Sequence, residues 1–543
     1  MKKKPQKNIP LHNKIENTKF NFNTTIPVTI VFFIVALLGI SNHEMWRDEL
    51  QPWLVARDSH SVREFLVNVA YEGHPFLWYL LLYPVSAISE NPFALQLFHL
   101  FIATGYIFVF NKYSPFSFWN KILFSFGYFT LYEYGTFSSC YGLGVLIAII
   151  ICALYADRIK NIVLISISLF LLANTSPYGL VLALGFASLI FFDAFFYKED
   201  WKKIQLFKIG ICLLIFIVGV ALSVYYIMPH ADTSGSYPIY SQFKNPDYLM
   251  LVFSKIYNSY FLFPEMQTLF NGWSISGLEN FQHDIGDLLQ QHFLIAMLLM
   301  AIISVLLMRK PAVLLFYFSM TFGLFLMLCV SPRLSCRYTG HLFIAMIASL
   351  WVYEYLKENK YSIQLLNKLN NSLNPIRKLM EKGLLTTILI VQAYVGIKVY
   401  LNDSKKAFSA SHEVGKFILD QRLDTIPIVG AVDYSLAPIS AYILKQIYYP
   451  QRKEYGSFII WDGHRNAGFE WKDIVNSVDT VLGKKNKSVL LILTFQPQYT
   501  VNNQSVKLTD GALNENIKVN LLKAFEDGII TDEKYYIYLA KRI

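Results

Sequence analysis

The stretch "IPVTIVFFIVALLGISNHEMWRDELQPWLVARDSH", residues 26–60, carries the plainest signal of fold class in the chain. Its first part is apolar enough to cross a bilayer, which takes ~20 such residues. Its second part turns abruptly polar, with Arg47, Asp48 and Glu49 in a row where the apolar run has just ended. Similar apolar runs recur along the chain. Over half of the residues (54%) are hydrophobic and only 16% are charged, against about 25% charged in a typical soluble domain. Mean hydropathy is +0.37. These values predict a polytopic α-helical membrane protein.

The net charge of +10 does not point to nucleic acid, because Lys and Arg fall in short clusters between apolar runs. The runs predict about eleven spans, near 26–41, 92–110, 119–137, 141–156, 161–174, 177–197, 208–228, 292–308, 311–330, 338–356 and 383–401. With the basic N-terminus (1–25) inside, Lys112, Lys121, Arg158, Lys160, Lys198, Arg309 and Lys310 all fall in inside loops or at the inner edge of a span. The positive-inside rule is then satisfied loop after loop. No small-residue cleavage site follows the first run, so it reads as an uncleaved anchor. The segment 74–89 is apolar but short, and it holds two prolines. Counting it as a span would reverse every later loop, so it is expected to be an interfacial or re-entrant helix on the outer face. This arrangement places the membrane domain at 26–401, with large outer loops at 42–91 and 229–291.

Beyond residue 402 the apolar runs shorten to strand length, as in "TIPIVGA", "SFIIW" and "SVLLILTF". They alternate with the helical patterns "SHEVGKFILDQ" and "LAPISAYILKQ". The alternation predicts a small α/β domain over 402–543, extracytoplasmic by span parity. The five cysteines show no CxxC spacing, which argues against a cysteine-based zinc site.

In this topology the ionisable candidates converge on one face. They are Asp48 and Glu49, Glu72 and His74, Glu133, His230 and Asp232, and Arg333, Arg337 and His341. Each also has a bland reading. Asp48 reads equally as a helix N-cap, His74 as an interfacial histidine, His230 and Asp232 as solvated loop residues, and the arginines as snorkelling side chains. Taken together, a carboxylate base, His and carboxylate groups able to hold a divalent metal ion (Glu72, Glu133, His230, Asp232), and arginines suited to phosphate fit transfer from a lipid-linked phosphosugar.

The order "MWRDELQPWLVARDS", "EGHPFLWYLLL", "YEYGTFSSCYGLGVL", "ANTSPYGLVLAL" and "RLSCRYTGHLFI" resembles the GT-C glycosyltransferases, closest to the branch of protein O-mannosyltransferases and lipid A aminoarabinose transferases. The resemblance implies that Asp48-Glu49 holds the catalytic carboxylate and that His74, before Pro75, lies near the donor phosphate; Arg333 and Arg337 are expected as further phosphate ligands from their own chemistry. Where that family often carries an acidic or arginine-containing motif after the third span, this chain reads "SSCYG", and Glu133 is the nearest acid. The implied activity is an inverting glycosyltransferase of the bacterial plasma membrane. Its partners would be a polyprenyl-phosphate sugar donor and a lipid, glycan or protein acceptor. The alternative is a transporter or flippase of an amphipathic lipid-linked substrate, which should show helix-breaking or ionisable residues in mid-span and internal repeat symmetry. A non-catalytic outer sensor leaves most of the spans unexplained.

Overall fold

The computed structural model describes residues 22–233, 245–262, 286–330, 334–359, 367–483, 486–501, 504–507 and 510–543. The chain is mostly helical. Seven helices are long and apolar enough to cross a membrane: Thr24–Asn42, Phe93–Tyr113, Cys140–Asp157, Pro177–Phe196, Leu206–Ile227, Pro311–Val330 and Gly383–Asp403. Their outward faces carry large apolar side chains, for example Ile34 and Leu38 on the first helix and Leu213 and Leu214 on Leu206–Ile227. Such faces suit a hydrocarbon solvent.

The remaining expected spans take other forms. Ile162–Ala173 has 12 residues, about 18 Å at 1.5 Å per residue, against the ~30 Å of a hydrocarbon core. The run 119–137 is not one helix. It breaks into Phe118–Ser125 and a π-helical turn, Tyr128–Glu133. Gly127 between them is extended. The Thr130 hydroxyl donates to the Phe124 carbonyl, satisfying a backbone acceptor that the break would orphan. Helices Gly286–Leu307 and Cys336–Tyr353 occupy the other two places. The segment expected to lie at the interface forms the helix Leu77–Ile88. Its Leu77, Trp78, Tyr79 and Leu82 are buried, and it packs against the Arg47–Asp58 helix.

The bundle has two polar ends. Arg337 stands at the start of Cys336–Tyr353, and Lys357 follows its other end. The helix has 18 residues, so these groups are separated by about 27 Å or more. At the Lys357 end, Asp193 accepts from Tyr155 and Arg158. The other end carries Asp48.

After Asp403 the chain builds a seven-stranded mixed sheet of order β3-β2-β1-β4-β9-β8-β7. Its strands are β1 (Ile428–Ala431), β2 (Ile447–Tyr449), β3 (Glu454–Gly456), β4 (Ser488–Leu493), β7 (Asp510–Asn514), β8 (Ile517–Phe525) and β9 (Tyr535–Arg542). A separate ribbon pairs β5 (Gln498–Val501) with β6 (Gln504–Lys507). Interior strand β1 is parallel to both β2 and β4, and the other pairings are antiparallel. The two helical patterns become Ser411–Asp420 and Asp433–Ile443, and "TIPIVGA" and "SVLLILTF" supply β1 and β4. "SFIIW" is not a strand. The Gln51 side chain donates to the Ile459 carbonyl at 2.7 Å and accepts from the Ile459 N–H at 3.1 Å. One amide thus replaces the neighbouring strand that this extended segment would otherwise need.

Candidate functional site

The polar stretch that follows the first helix folds back at once. Asn42 ends that helix and Arg47 begins the next, Arg47–Asp58. Trp46 is the N-cap, and the Glu49 carboxylate accepts from the Trp46 N–H at 3.4 Å. Asp48 is therefore not the cap. It sits in the first turn with its carboxylate directed elsewhere: Oδ2 lies 2.8 Å from Arg337 Nη1. Asp48 retains 31% side-chain exposure while Arg337 has 9%. The Arg337 guanidinium lies over the Trp46 ring, 4.6 Å from its centroid, an arrangement that favours a desolvated cation.

Glu49 has a different role. Its Oε2 is 2.9 Å from His43 Nε2, and its Oε1 accepts from the Ser138 N–H at 2.6 Å. His43 Nδ1 is in turn 2.9 Å from Asp403 Oδ2. All three side chains are nearly inaccessible to solvent. Burial alone pushes the His43 imidazole down, but Asp403 and Glu49, one on each ring nitrogen, raise it to about 10. The triad is thus a buried cation between two carboxylates. It ties the end of the first span, the Arg47–Asp58 helix and the end of the Gly383–Asp403 span together.

The C-terminal domain closes over the same turn. Arg47 pairs with Asp532 at 2.8 Å, and its backbone N–H donates to Glu533 at 3.0 Å. Burial raises the Glu533 carboxyl to about 7 against the pull of Arg47. Arg57 donates to the Ala441 carbonyl at 3.2 Å.

Glu72 accepts from Gln51 at 2.8 Å and from Tyr79 at 3.1 Å. Burial raises it to about 7, the two hydrogen bonds oppose this, and Asp48 adds to it. His74 reaches the same region through Tyr141, with ring centroids 6.3 Å apart. Tyr141 also meets Tyr338 and His341 edge-on, and His341 stacks on Tyr178 at 5.0 Å. These rings come from three helices and meet the Asp48–Arg337 pair through Tyr338, whose ring centroid lies 5.8 Å from the Arg337 guanidinium. Glu133 is buried on the π-helical turn, where it accepts from Tyr128 at 2.7 Å. The charge on Arg337 acts on it. His230 and Asp232 both meet Tyr71, which donates to Asp232 at 3.2 Å and faces the His230 ring at 5.0 Å. Arg333 lies outside the described residues.

The structure therefore brings Asp48, Glu72 and Arg337 together, with Glu133 behind and His74 beside them. Glu49 belongs to the scaffold. Glu72, Glu133 and the His230/Asp232 pair are held by separate partners. Among the described residues no three His, Cys, Asp or Glu side chains converge as a metal-ligand set, and no disulfide joins Cys140 to Cys336.

Sequence reasoning missed Lys255, on the amphipathic helix Pro246–Tyr260. Its charge reaches Cys336, next to Arg337, and burial pushes its ammonium down. The only sequence signal is that Lys255 is the one basic residue of that helix. The close approach of the elements needs glycine at Gly340, where a Cβ would collide with Tyr134 and Phe129. No family model, curated protein or solved structure matches this chain.

Proposed function

We propose that the chain is a membrane glycosyltransferase that moves a sugar from a polyprenyl-phosphate donor to a hydroxyl or amine of a lipid, glycan or protein acceptor. The observation that carries this reading is the Asp48–Arg337 pair, a part-exposed carboxylate against a buried guanidinium, a few residues past the end of the apolar helix Thr24–Asn42 and at the start of Cys336–Tyr353. A base and a phosphate-binding cation are the two groups this transfer needs. The donor phosphate takes Arg337, with Lys255 adding charge, and Asp48 is released toward the acceptor. The acceptor oxygen or nitrogen then attacks the anomeric carbon and loses its proton to Asp48. The bond from that carbon to the phosphate oxygen breaks, with inversion, and the lipid phosphate leaves with the electron pair. Tyr141, Tyr178 and Tyr338 give the sugar an aromatic wall. The distribution of basic loops supports an orientation in which this end faces outward from a bacterial plasma membrane.

The test is incubation of purified protein with a panel of radiolabelled polyprenyl-phosphate sugars and membrane extract. Label appearing in an acceptor supports the reading. Label that stays on every donor, with the protein folded, refutes it.

A further inference from the structure

A cavity of about 710 Å³ opens between the end of the first membrane helix, the start of Phe93–Tyr113 and the Ser411–Asp420 helix. This is within the size range of sites that hold small ligands, roughly 300–1,000 Å³. It is separate from the Asp48–Arg337 pair. Ile40 and Phe93 line it from two helices long and apolar enough to cross a membrane. The exposed apolar face of the first helix, Ile34 and Leu38, leads up to it. The opening therefore sits where hydrocarbon gives way to headgroups.

The polar side of the cavity is built from Glu44, His412, Lys416 and Asp420. Glu44 Oε1 lies 3.7 Å from His412 Nδ1. Glu44 Oε2 is buried and accepts no hydrogen bond among the described residues. A buried carboxylate oxygen without a donor is costly, so it marks a place for one. Lys416 lies one helical turn from both His412 and Asp420 and forms no ion pair among the described residues. Two carboxylates with one lysine and one histidine do not suit a simple anion. They suit a group with an N–H-bearing cation at one end and a phosphate at the other.

We propose that this cleft binds the headgroup of a bilayer phospholipid carrying a primary amine on its phosphate. The ammonium donates to Glu44, with Asp420 nearby. The phosphate meets Lys416 and His412, and the acyl chains follow the apolar face of the first helix. The inference does not depend on the transferase reading, because it uses none of that site's residues.

The experiment is native mass spectrometry of the full chain from detergent micelles doped with equimolar phosphatidylethanolamine, phosphatidylglycerol and phosphatidylcholine. The wild type should retain phosphatidylethanolamine over each of the others by about ten-fold, the effect of one charge-assisted hydrogen bond. Phosphatidylcholine has no N–H to offer Glu44. Glu44→Gln should abolish the preference, and Lys416→Ala should lower retention of both phosphatidylethanolamine and phosphatidylglycerol. If Glu44→Gln does not fold, the exposed Asp420→Asn should still reduce the preference. Equal retention of the three lipids overturns the proposal, as does a preference that survives these substitutions. Displacement of the lipid by free O-phosphoethanolamine at the same concentration also overturns it, since the site would then hold a soluble ligand.

Discussion

His43 bridges Glu49 and Asp403, with 2.9 Å on each side of one imidazole. Asp403 ends the last membrane-crossing helix and Glu49 lies in the first turn after the first one. A single protonated ring therefore fixes the helix that carries Asp48 relative to the bundle. Removing one member of such a buried set leaves a charge without its partner, typically a cost of about 3–5 kcal/mol.

His43→Gln should lower the thermal stability of the detergent-solubilised protein by that order. Glu49→Gln should do much the same, and the double substitution should cost less than the sum. The pH dependence has a definite sign. His43 in the folded chain titrates at about 10, above the ordinary 6.5, so the folded state holds a proton that the unfolded chain has lost. Its contribution is complete below pH 6.5 and declines as pH rises through 10. The gap between wild type and His43→Gln in melting scans should be wide at pH 6.5 and narrow toward pH 10. A gap that is constant with pH would mean that the ring is neutral in the fold.

Glu533 gives the complementary window. Its folded value of about 7 lies above the ordinary 4.5. Its stabilising proton is fully present below pH 4.5 and is lost as pH rises through 7. Glu533→Gln should flatten the fall in melting temperature over that range. An unchanged slope would remove Glu533 from the list of contributors.

Arg337→Ala should weaken donor binding more than acceptor binding, by about 1.5–3 kcal/mol for a charge-assisted hydrogen bond. Equilibrium binding of a labelled polyprenyl-phosphate sugar measures it. Equal loss for donor and acceptor, or no loss, would leave Arg337 as the partner of Asp48 alone.

The orientation is tested by cysteine labelling. Ser59 and Ser411 are buried, so the probes belong at the exposed positions Ser61 and Lys472. Ser61→Cys and Lys472→Cys should both react with an impermeant maleimide in intact cells. Reaction only after permeabilisation would put the Asp48 end on the cytoplasmic face and contradict the proposed donor geometry.

Much of the helical framework was legible in the sequence, because long apolar runs bounded by polar residues leave few other structures open to them. The run 119–137 misled for a physical reason: hydropathy does not register that Gly127 is extended or that the Thr130 hydroxyl holds the Phe124 carbonyl. "SFIIW" has strand composition, yet its backbone is paired by the Gln51 side chain, which no local pattern reveals. For the site, the clustering of polar residues at span ends placed Asp48, Glu72 and Arg337 at one end. The division of labour between Asp48 and Glu49 was legible in part, since neighbours on a helix point about 100° apart. Their partners were not. Arg337 lies 289 residues from Asp48, and Asp403 lies 360 from His43, so these pairs exist only once the bundle has packed.

The role of Asp48 as the base is tested by the transfer rate of Asp48→Asn with a labelled polyprenyl-phosphate sugar, beside Asp48→Ala as a control. Asn keeps the shape of the side chain and can still accept a hydrogen bond from Arg337, but it cannot take a proton. If Asp48 is the base, transfer should fall roughly 10²–10⁴-fold in Asp48→Asn, while melting temperature and donor binding stay near wild type. Transfer within a few-fold of wild type would contradict the assignment and leave Asp48 as a structural partner of Arg337.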